Sequence, residues 1–279
     1  MNKLEFNEEL HNSELEFDAV EHEYKCNGKK LISVTQVINR YTEDFNADKV
    51  IDKMFEKSVS DELYIGPKRE IIGMTKQQIK DQWECNRIAK SAYGTFIHNE
   101  AEDIGNGKDK GIKIPELNQV RKFFKTEGFE IVEQELQLYS EELGIAGTVD
   151  LLLKKDDKLY IYDFKTNINK DLSQREPQFN KYLKEPISNI PATEYWKYSL
   201  QMSIYRYLFT FEPRYRKYGD YEFGESAILH LIGNINDLKD KFGRRTIYPE
   251  MKRCNYKIIN TPYMKMETES IIKDLNKKR

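Results

Sequence analysis

The sequence has few cysteines, no long apolar run and no large excess of charge, and the first two of these shortages each exclude a class of protein. The three cysteines, Cys26, Cys85 and Cys254, are far apart and odd in number, so they predict neither a disulfide framework nor a Cys-x-x-Cys zinc site. No stretch approaches the roughly 18 apolar residues that a membrane span needs. The first residues, 1–6, lack the pattern of a signal peptide. We therefore expect a soluble, cytoplasmic protein without a membrane partner.

The formal net charge of −2 hides an uneven distribution. Residues 1–23 contain eight acidic residues and one lysine, so this segment carries −7 and the rest of the chain +5. This charge balance does not indicate nucleic-acid binding. An enzyme that must release its product, however, needs only a local basic groove to bind a nucleic acid. We expect an acidic N-terminal arm over residues 1–22 and one domain over residues 23–279, long enough to bury a full core. Insertions are expected near residues 42–74 and 167–193.

Two apolar runs in the middle of the chain predict a β-hairpin. They are rich in Val, Leu, Ile and Tyr and flank a polar patch at residues 155–158, which suits a turn. With the turn centred in this patch, the numbers of paired residues sum to 313, so Asp150 lies opposite Asp163 with Cβ atoms about 5 Å apart. Lys165 follows two residues after Asp163 and points to the same face.

Two carboxylates opposite one another on apolar strands would repel, and burying them unpaired would be costly. A divalent cation between them removes the repulsion, and oxygen ligands suit Mg²⁺ or Mn²⁺. An ammonium group beside such a cation would form an electrophilic clamp for a phosphodiester. The alternative is a surface hairpin whose charged side chains lie on the solvent-exposed face. The uninterrupted Leu151-Leu-Leu153 run and Phe164 leave little alternation, which favours a hairpin covered on both faces and therefore the metal site.

The same residues carry a resemblance to a known family. An Asp followed thirteen residues later by Asp-x-Lys on the next strand resembles the core of the PD-(D/E)XK nuclease superfamily. Gly144-Ile-Ala-Gly-Thr-Val-Asp150 with Tyr162-Asp-Phe-Lys-Thr166 is similar to the RecB-like exonuclease branch, which includes phage exonucleases and the mitochondrial genome-maintenance exonuclease. The resemblance covers most of the chain from about residue 23. It implies an α/β fold with a restriction-endonuclease-like core, in which helices flank a mixed central sheet with helical and loop insertions.

The resemblance also implies roles for individual residues. Asp150, Asp163 and the backbone carbonyl of Phe164 would bind the metal, and Lys165 would act on the water or stabilise the developing charge. Some relatives carry a four-cysteine Fe–S cluster, which three cysteines cannot complete. We expect Mg²⁺ or Mn²⁺ and no Fe–S cluster.

A predicted helix supplies two more candidate ligands. Thr75 and Gln78 are spaced as a capping box that opens this helix, and four residues separate His98 from Glu102, so both lie on one face. Gly94-x-x-x-His98 is similar to the Gly-x-x-x-His helix of the family, whose histidine reaches the metal. The resemblance favours His98 as a ligand over a packed or solvent-facing histidine, and Glu102 is a second candidate.

The alternating segment 129–139 predicts a strand with Ile131, Glu133 and Glu135 on one face. In the family a glutamate on this strand often faces the site, and we favour Glu135 over Glu133 as a further ligand. An exposed strand carboxylate is the alternative for both.

A later helix, predicted over residues 195–209, places Gln201 and Tyr205 one turn apart. The pair is similar to the Gln-x-x-x-Tyr motif of RecB-type nucleases, which lines the active site and implies that both residues position the DNA strand for catalysis. The helix also carries aromatic residues that are candidates for base stacking or for the core: Trp196, Tyr198 and Tyr207.

Two segments are candidates for DNA contacts. An Asn27-Gly28 hairpin signal precedes Ser33 and Gln36, which are spaced as a capping box. Ser33 and Thr35 could present a helix N-terminus to a phosphate, with simple capping as the alternative. A basic cluster near residue 243 offers either phosphate contacts or a solvated turn: Lys241, Arg244 and Arg245.

These observations predict a metal-dependent deoxyribonuclease. The resemblance implies an exonuclease that releases 5′-phosphate products from a free, single-stranded DNA end, with proteins of replication or recombination as partners. A structure-specific endonuclease and a non-catalytic DNA-end-binding subunit are the alternatives. The sequence contains no Walker-type nucleotide loop, so ATP-driven activity within this chain is not expected.

Overall fold

A computed structural model describes residues 15–18, 23–166, 172–177, 180–219, 221–233 and 254–277. Within these residues the strands are β1 (Leu15–Asp18), β2 (Glu23–Cys26), β3 (Lys29–Ser33), β4 (Glu130–Ser140), β5 (Ile145–Lys155), β6 (Lys158–Lys165), β7 (Glu222–Phe223), β8 (Ser226–Gly233) and β9 (Cys254–Thr261). The α-helices are α1 (Val34–Arg40), α2 (Ala47–Phe55), α3 (Lys76–Gly105), α4 (Pro115–Thr126), α5 (Glu194–Phe211) and α6 (Lys265–Lys277).

The strands form one mixed sheet with helices on both faces. Its order is β1-β2-β3-β5-β6-β8-β9, with β4 paired to β5 and β7 paired to β6. The pairs β3–β5, β6–β7 and β6–β8 are parallel, and the others are antiparallel. One face is buried against α1, α5 and α6, and the other against α3 and α4. The predicted α/β class with a mixed, helix-flanked sheet is confirmed.

The predicted hairpin register is confirmed along the whole β5–β6 ladder. The pairs run from Lys155–Lys158 to Leu151–Tyr162, and each pair of residue numbers sums to 313. At the turn, Asp156 and Asp157 have φ values of 49° and 58°, which is the left-handed pair that a type I′ turn requires. The sequence therefore determined how these two strands meet.

β3 and β6 pair with different parts of the same edge of β5, and an open stretch without a described strand partner lies between these parts. β3 pairs with Ile145 and Ala146 only, and the ladder with β6 begins at Leu151. Residues 147–150 therefore have no strand partner on this edge within the described sheet. The β5–β6 ladder ends at Tyr162, whereas β6 continues along β8 on its other edge. The two strands β5 and β6 therefore separate where the two aspartates lie.

Both predicted capping boxes are present. Ser33 caps α1 with Gln36, and Thr75 caps α3 with Gln78, each with the reciprocal pair of hydrogen bonds. The side chains and backbone groups satisfy one another at these helix starts, so the local sequence is sufficient to begin both helices.

The segment predicted as an insertion at residues 42–74 contains α2 and forms a small core with the start of α3. Its buried residues are Ile51, Met54, Phe55, Tyr64, Ile71 and Ile79. Residues 15–18, which the sequence analysis assigned to the acidic arm, form β1 and pair with β2 at the end of the sheet. Every helix among the described residues is too short or too polar to cross a bilayer.

Candidate active site

The candidate site lies where β5 and β6 separate. Asp150, at the end of the open stretch of β5, is 8% exposed, and Asp163 of β6 is 3% exposed. The backbone N–H of Phe164 donates to Asp150 Oδ2 over 2.7 Å. This bond uses a backbone donor that no longer pairs with β5, and it fixes the carboxylate in the gap between the strands.

Strand β4 is irregular beside Asp150. Its register against β5 shifts between Ile131 and Glu133, so these two residues face opposite layers, and the predicted common face of Ile131, Glu133 and Glu135 is wrong. The bulge inserts one residue, Val132, and each inserted residue reverses the alternation that follows. Glu133 accepts a hydrogen bond from Tyr218 Oη over 3.1 Å, within the layer of α5.

Glu135 has a φ of 49°, a left-handed conformation that costs energy for a residue with a Cβ. At the level of Glu135 and Asp150, the alternation of side chains between the two faces of the sheet reverses in both β4 and β5. On β4, Gln134 donates to the backbone of Glu102 in α3, whereas Leu136 packs in the layer of α5. On β5, Leu151 and Val149 belong to opposite layers although they are two residues apart. This reversal brings Glu135 alongside Asp150.

One group among the described residues has the composition of a metal site: His98, Glu135 and Asp150. One ligand atom from each lies within 4.8 Å of the others, and the imidazole Nδ1 is 3.4 Å from Asp150 Oδ2. An imidazole and two carboxylates suit Mg²⁺, Mn²⁺ or another divalent cation. The geometry brings together residues from α3, β4 and β5 that are distant in the sequence.

The charges of this group are out of balance without a cation. Burial, followed by the nearby Asp150, raises the pKa of Glu135 to about 8. Burial opposes the charged form of His98, but the Asp150 carboxylate outweighs it and raises the pKa of the imidazole to about 9. Burial also opposes ionisation of Asp150, yet His98, Lys165 and the Phe164 N–H lower its pKa. Two carboxyl groups thus lie beside one imidazolium, and a bound cation would relieve the repulsion that opposes ionisation of both.

Asp163 lies outside the three-residue group and forms an ion pair with Lys165. Burial and the Asp150 charge raise the pKa of Asp163 to about 6. Burial opposes the ammonium form of Lys165, but Asp163 more than compensates and holds the pKa of Lys165 above its usual range. Lys165 is therefore an ammonium at neutral pH, so charge stabilisation fits it better than action as a base.

Gln201 and Tyr205 of α5 act as a hydrogen-bonded pair. Gln201 Nε2 donates to Tyr205 Oη over 2.9 Å. Tyr205 is 3% exposed, and a Cβ added at Gly147 would lie 2.6 Å from its ring. Glycine at position 147 thus permits the close approach of α5 to the open edge of β5. The half-buried Gln201 is the member of the pair that can meet a substrate.

The chain was also compared with known proteins. No family model matches the sequence, and no curated protein matches it. Among solved structures it is similar to SSO0001, with 14% identity over 59% of this chain and 57% of that chain and a TM-score of 0.26. It is also similar to a phage related exonuclease from Haemophilus somnus 129PT, with 10% identity over 66% of this chain and 78% of that chain and a TM-score of 0.30. At these TM-scores neither likeness carries an argument.

The remaining predicted site residues lie around the group or outside the description. Glu102 is close enough to Glu135 to raise its pKa further but is not one of the three grouped ligands. Ser33 accepts the capping bond from the Gln36 N–H, and Thr35 is exposed. The role of the Phe164 carbonyl stays a prediction. The basic cluster lies outside the described residues: Lys241, Arg244 and Arg245.

Two residues lie near Lys165 although the sequence did not connect them with the lysine. The Lys165 Nζ lies 5.0 Å from the ring centre of Tyr198, and His230 pairs with Lys165 in the parallel β6–β8 register. Spacing along α5 could have placed Tyr198 on the face of Gln201 and Tyr205. Nothing in the local sequence could have placed His230, because only the pairing of β6 with β8 brings it beside the lysine.

Proposed function

We propose that this protein is a metal-dependent deoxyribonuclease, with an exonuclease acting on free, single-stranded DNA ends as the favoured activity. The observation that carries the proposal is the convergence of His98, Glu135 and Asp150 ligand atoms within 4.8 Å, next to the buried ion pair of Asp163 and Lys165. A site for a divalent cation beside a fixed ammonium group matches the needs of phosphodiester hydrolysis.

Each side chain of the site has a distinct role in this proposal. His98, Glu135 and Asp150 would hold the cation, and the second aspartate, Asp163, would add charge at its border. A divalent cation held there would polarise the scissile phosphate and lower the pKa of a water molecule. Lys165, kept protonated by Asp163, stabilises the negative charge that develops on the phosphate. The products are a 5′-phosphate and a 3′-hydroxyl.

Gln201 and Tyr205 have different tasks in this proposal. Tyr205 is buried and acts through Gln201, whose amide it holds by the 2.9 Å hydrogen bond. Gln201 then contacts the DNA strand near the scissile phosphate. The close approach of Tyr205 depends on Gly147. This contact therefore joins the Gln-x-x-x-Tyr motif of α5 to the strand that carries Asp150.

The test uses end-labelled single-stranded and double-stranded DNA with Mg²⁺, Mn²⁺ or EDTA. We expect cleavage of linear single strands with either cation, none in EDTA, and products that a 5′-phosphate-dependent ligase accepts. A circular single strand separates the activities, because only an endonuclease can cut it. Lys165→Ala should abolish cleavage and keep DNA binding. A wild-type protein that binds ends and never cleaves would be a non-catalytic end-binding subunit.

A further inference from the structure

The ammonium group of Lys165 has two close neighbours of different chemistry. It forms an ion pair with Asp163, and the Lys165 side chain is 18% exposed. Its Nζ also lies 5.0 Å from the centre of the Tyr198 ring, a distance at which the face of an aromatic ring attracts a cation. Because water is largely excluded, these neighbours decide where the ammonium points.

Tyr198 is itself held in place by the core. Its ring packs against a buried cluster made of Leu172, Tyr195, Ile228 and Ile259. Ile228 of β8 pairs in register with Asp163, so the cluster is continuous with the strand pair that carries the acid. A ring fixed in this way restricts a lysine side chain whose rotamers would otherwise be free.

We propose that Tyr198 is a positioning residue for Lys165: its ring holds the ammonium beside Asp163, so the amine is oriented before DNA arrives. The inference rests on the proposed function, since it concerns the use of Lys165 in cleavage. It also assigns the ring of Tyr198 to the lysine and not to a DNA base. Stacking on a base would make Tyr198 part of the binding surface, with a different kinetic signature.

The experiment compares Tyr198→Leu and Tyr198→Phe with the wild type. We would measure kcat and KM on an end-labelled dT₁₂ strand with Mg²⁺, the Kd for the same strand in EDTA, and Tm. Leucine removes the ring, so kcat should fall about 3- to 30-fold. KM and Kd should change less than about twofold, because uniform binding of the strand is untouched. Phenylalanine keeps the ring face and should restore most of kcat.

Other outcomes would overturn the inference. A rise in KM and Kd with kcat unchanged in the leucine variant would show a stacking role. A fall in Tm that accounts for the lost activity, with no rescue by phenylalanine, would show a merely structural role, and an unchanged kcat would show no role.

The proposed function fails in a different way. In that case the wild type does not cleave with any cation, or Lys165→Ala cleaves as well as the wild type, and the positioning role falls with it. If the wild type cleaves and Lys165→Ala does not, a normal Tyr198→Leu variant counts against Tyr198 alone.

Discussion

Asp150 and Asp163 lie on neighbouring strands, β5 and β6, and are both almost fully buried, yet their surroundings shift their pKa values in opposite directions. The pKa of Asp150 is lowered because His98, Lys165 and a backbone N–H overcome the cost of burial. The pKa of Asp163 is raised to about 6 because burial and repulsion by Asp150 overcome the contribution of Lys165. The two carboxylates are buried to a similar extent, so the opposite pKa shifts come from their different neighbours.

The comparison divides the site into two sides. One side, His98, Glu135 and Asp150, has more acidic groups than cationic partners and gains from an added cation. The other side, Asp163 and Lys165, is neutralised by its own ammonium group. In the proposed site a cation would relieve the repulsion on the first side, and Lys165 supplies the fixed positive charge on the second.

The largest expected effect comes from removing the charge of Asp150. Asp150→Asn keeps the shape but loses a ligand charge, so kcat should fall by at least about a hundredfold, as when one charge-stabilising group is removed from an active site. Gel assays of strand cleavage with Mg²⁺ measure this. Asp157→Asn, at the exposed turn of the same hairpin, is the matched control and should cleave normally. Near-normal cleavage by Asp150→Asn would place the metal elsewhere.

The next effect is stabilisation by the cation. At Mg²⁺ about 100 times its Kd, the free energy of unfolding should rise by about 2.7 kcal/mol, or roughly 5–10 °C in Tm. Glu135→Gln should lose most of this shift, whereas Glu133→Gln, which lies two residues away and contacts Tyr218, should keep it. Calorimetry with and without Mg²⁺ provides the measurement. Equal shifts in both variants would exclude Glu135 as a ligand.

A smaller effect tests the close contact between Tyr205 of α5 and Gly147 of β5. A Cβ there would lie 2.6 Å from the Tyr205 ring, so Gly147→Ala should lower the free energy of unfolding by about 1–3 kcal/mol through overpacking. At Gly94 of α3 the nearest heavy atom to an added Cβ is Thr166 Oγ1 at 3.9 Å. Gly94→Ala is therefore the control and should be neutral or stabilising by up to about 1 kcal/mol. Chemical denaturation compares them, and equal stability of both variants would contradict the packing.

A further effect is the pH dependence of stability in EDTA. The pKa of Glu135 rises from 4.5 to about 8 on folding and that of His98 from 6.5 to about 9. Each folded group holds its proton more tightly than the unfolded one, so its contribution is present at low pH and lost as pH rises through the folded value. The free energy of unfolding should therefore fall between about pH 5 and 9.

The same measurement in Glu135→Gln isolates the carboxyl contribution. The slope should become shallower, with the remaining decline due to His98. Added Mg²⁺ should flatten the wild-type slope, because the cation favours the deprotonated ligands. A stability that rises over this pH range in EDTA would contradict the assigned shifts.

The residues of the site differ in how far the sequence alone could predict them. The β5–β6 register followed from a turn and two apolar runs, which are local features, so the pairing from Lys155–Lys158 to Leu151–Tyr162 could be predicted from the sequence. The ladder stops before Asp150 and Asp163, so their direct pairing stays a prediction. Glu135 was favoured only through a resemblance. Its face could not be derived, because the bulge at Val132 and the left-handed φ of Glu135 break the alternation.

The sequence by itself determined the starts of α1 and α3, the tight turns at Asn27-Gly28 and Asp156-Asp157, and the pairing of the central hairpin. Each depends on residues only a few positions apart. Only the tertiary structure decided that His98, Glu135 and Asp150 form one group, while Asp163 is paired with Lys165. The physical reason is that charge balance in a buried site depends on groups brought together from α3, β4, β5 and β6. No local pattern in the chain records those distances.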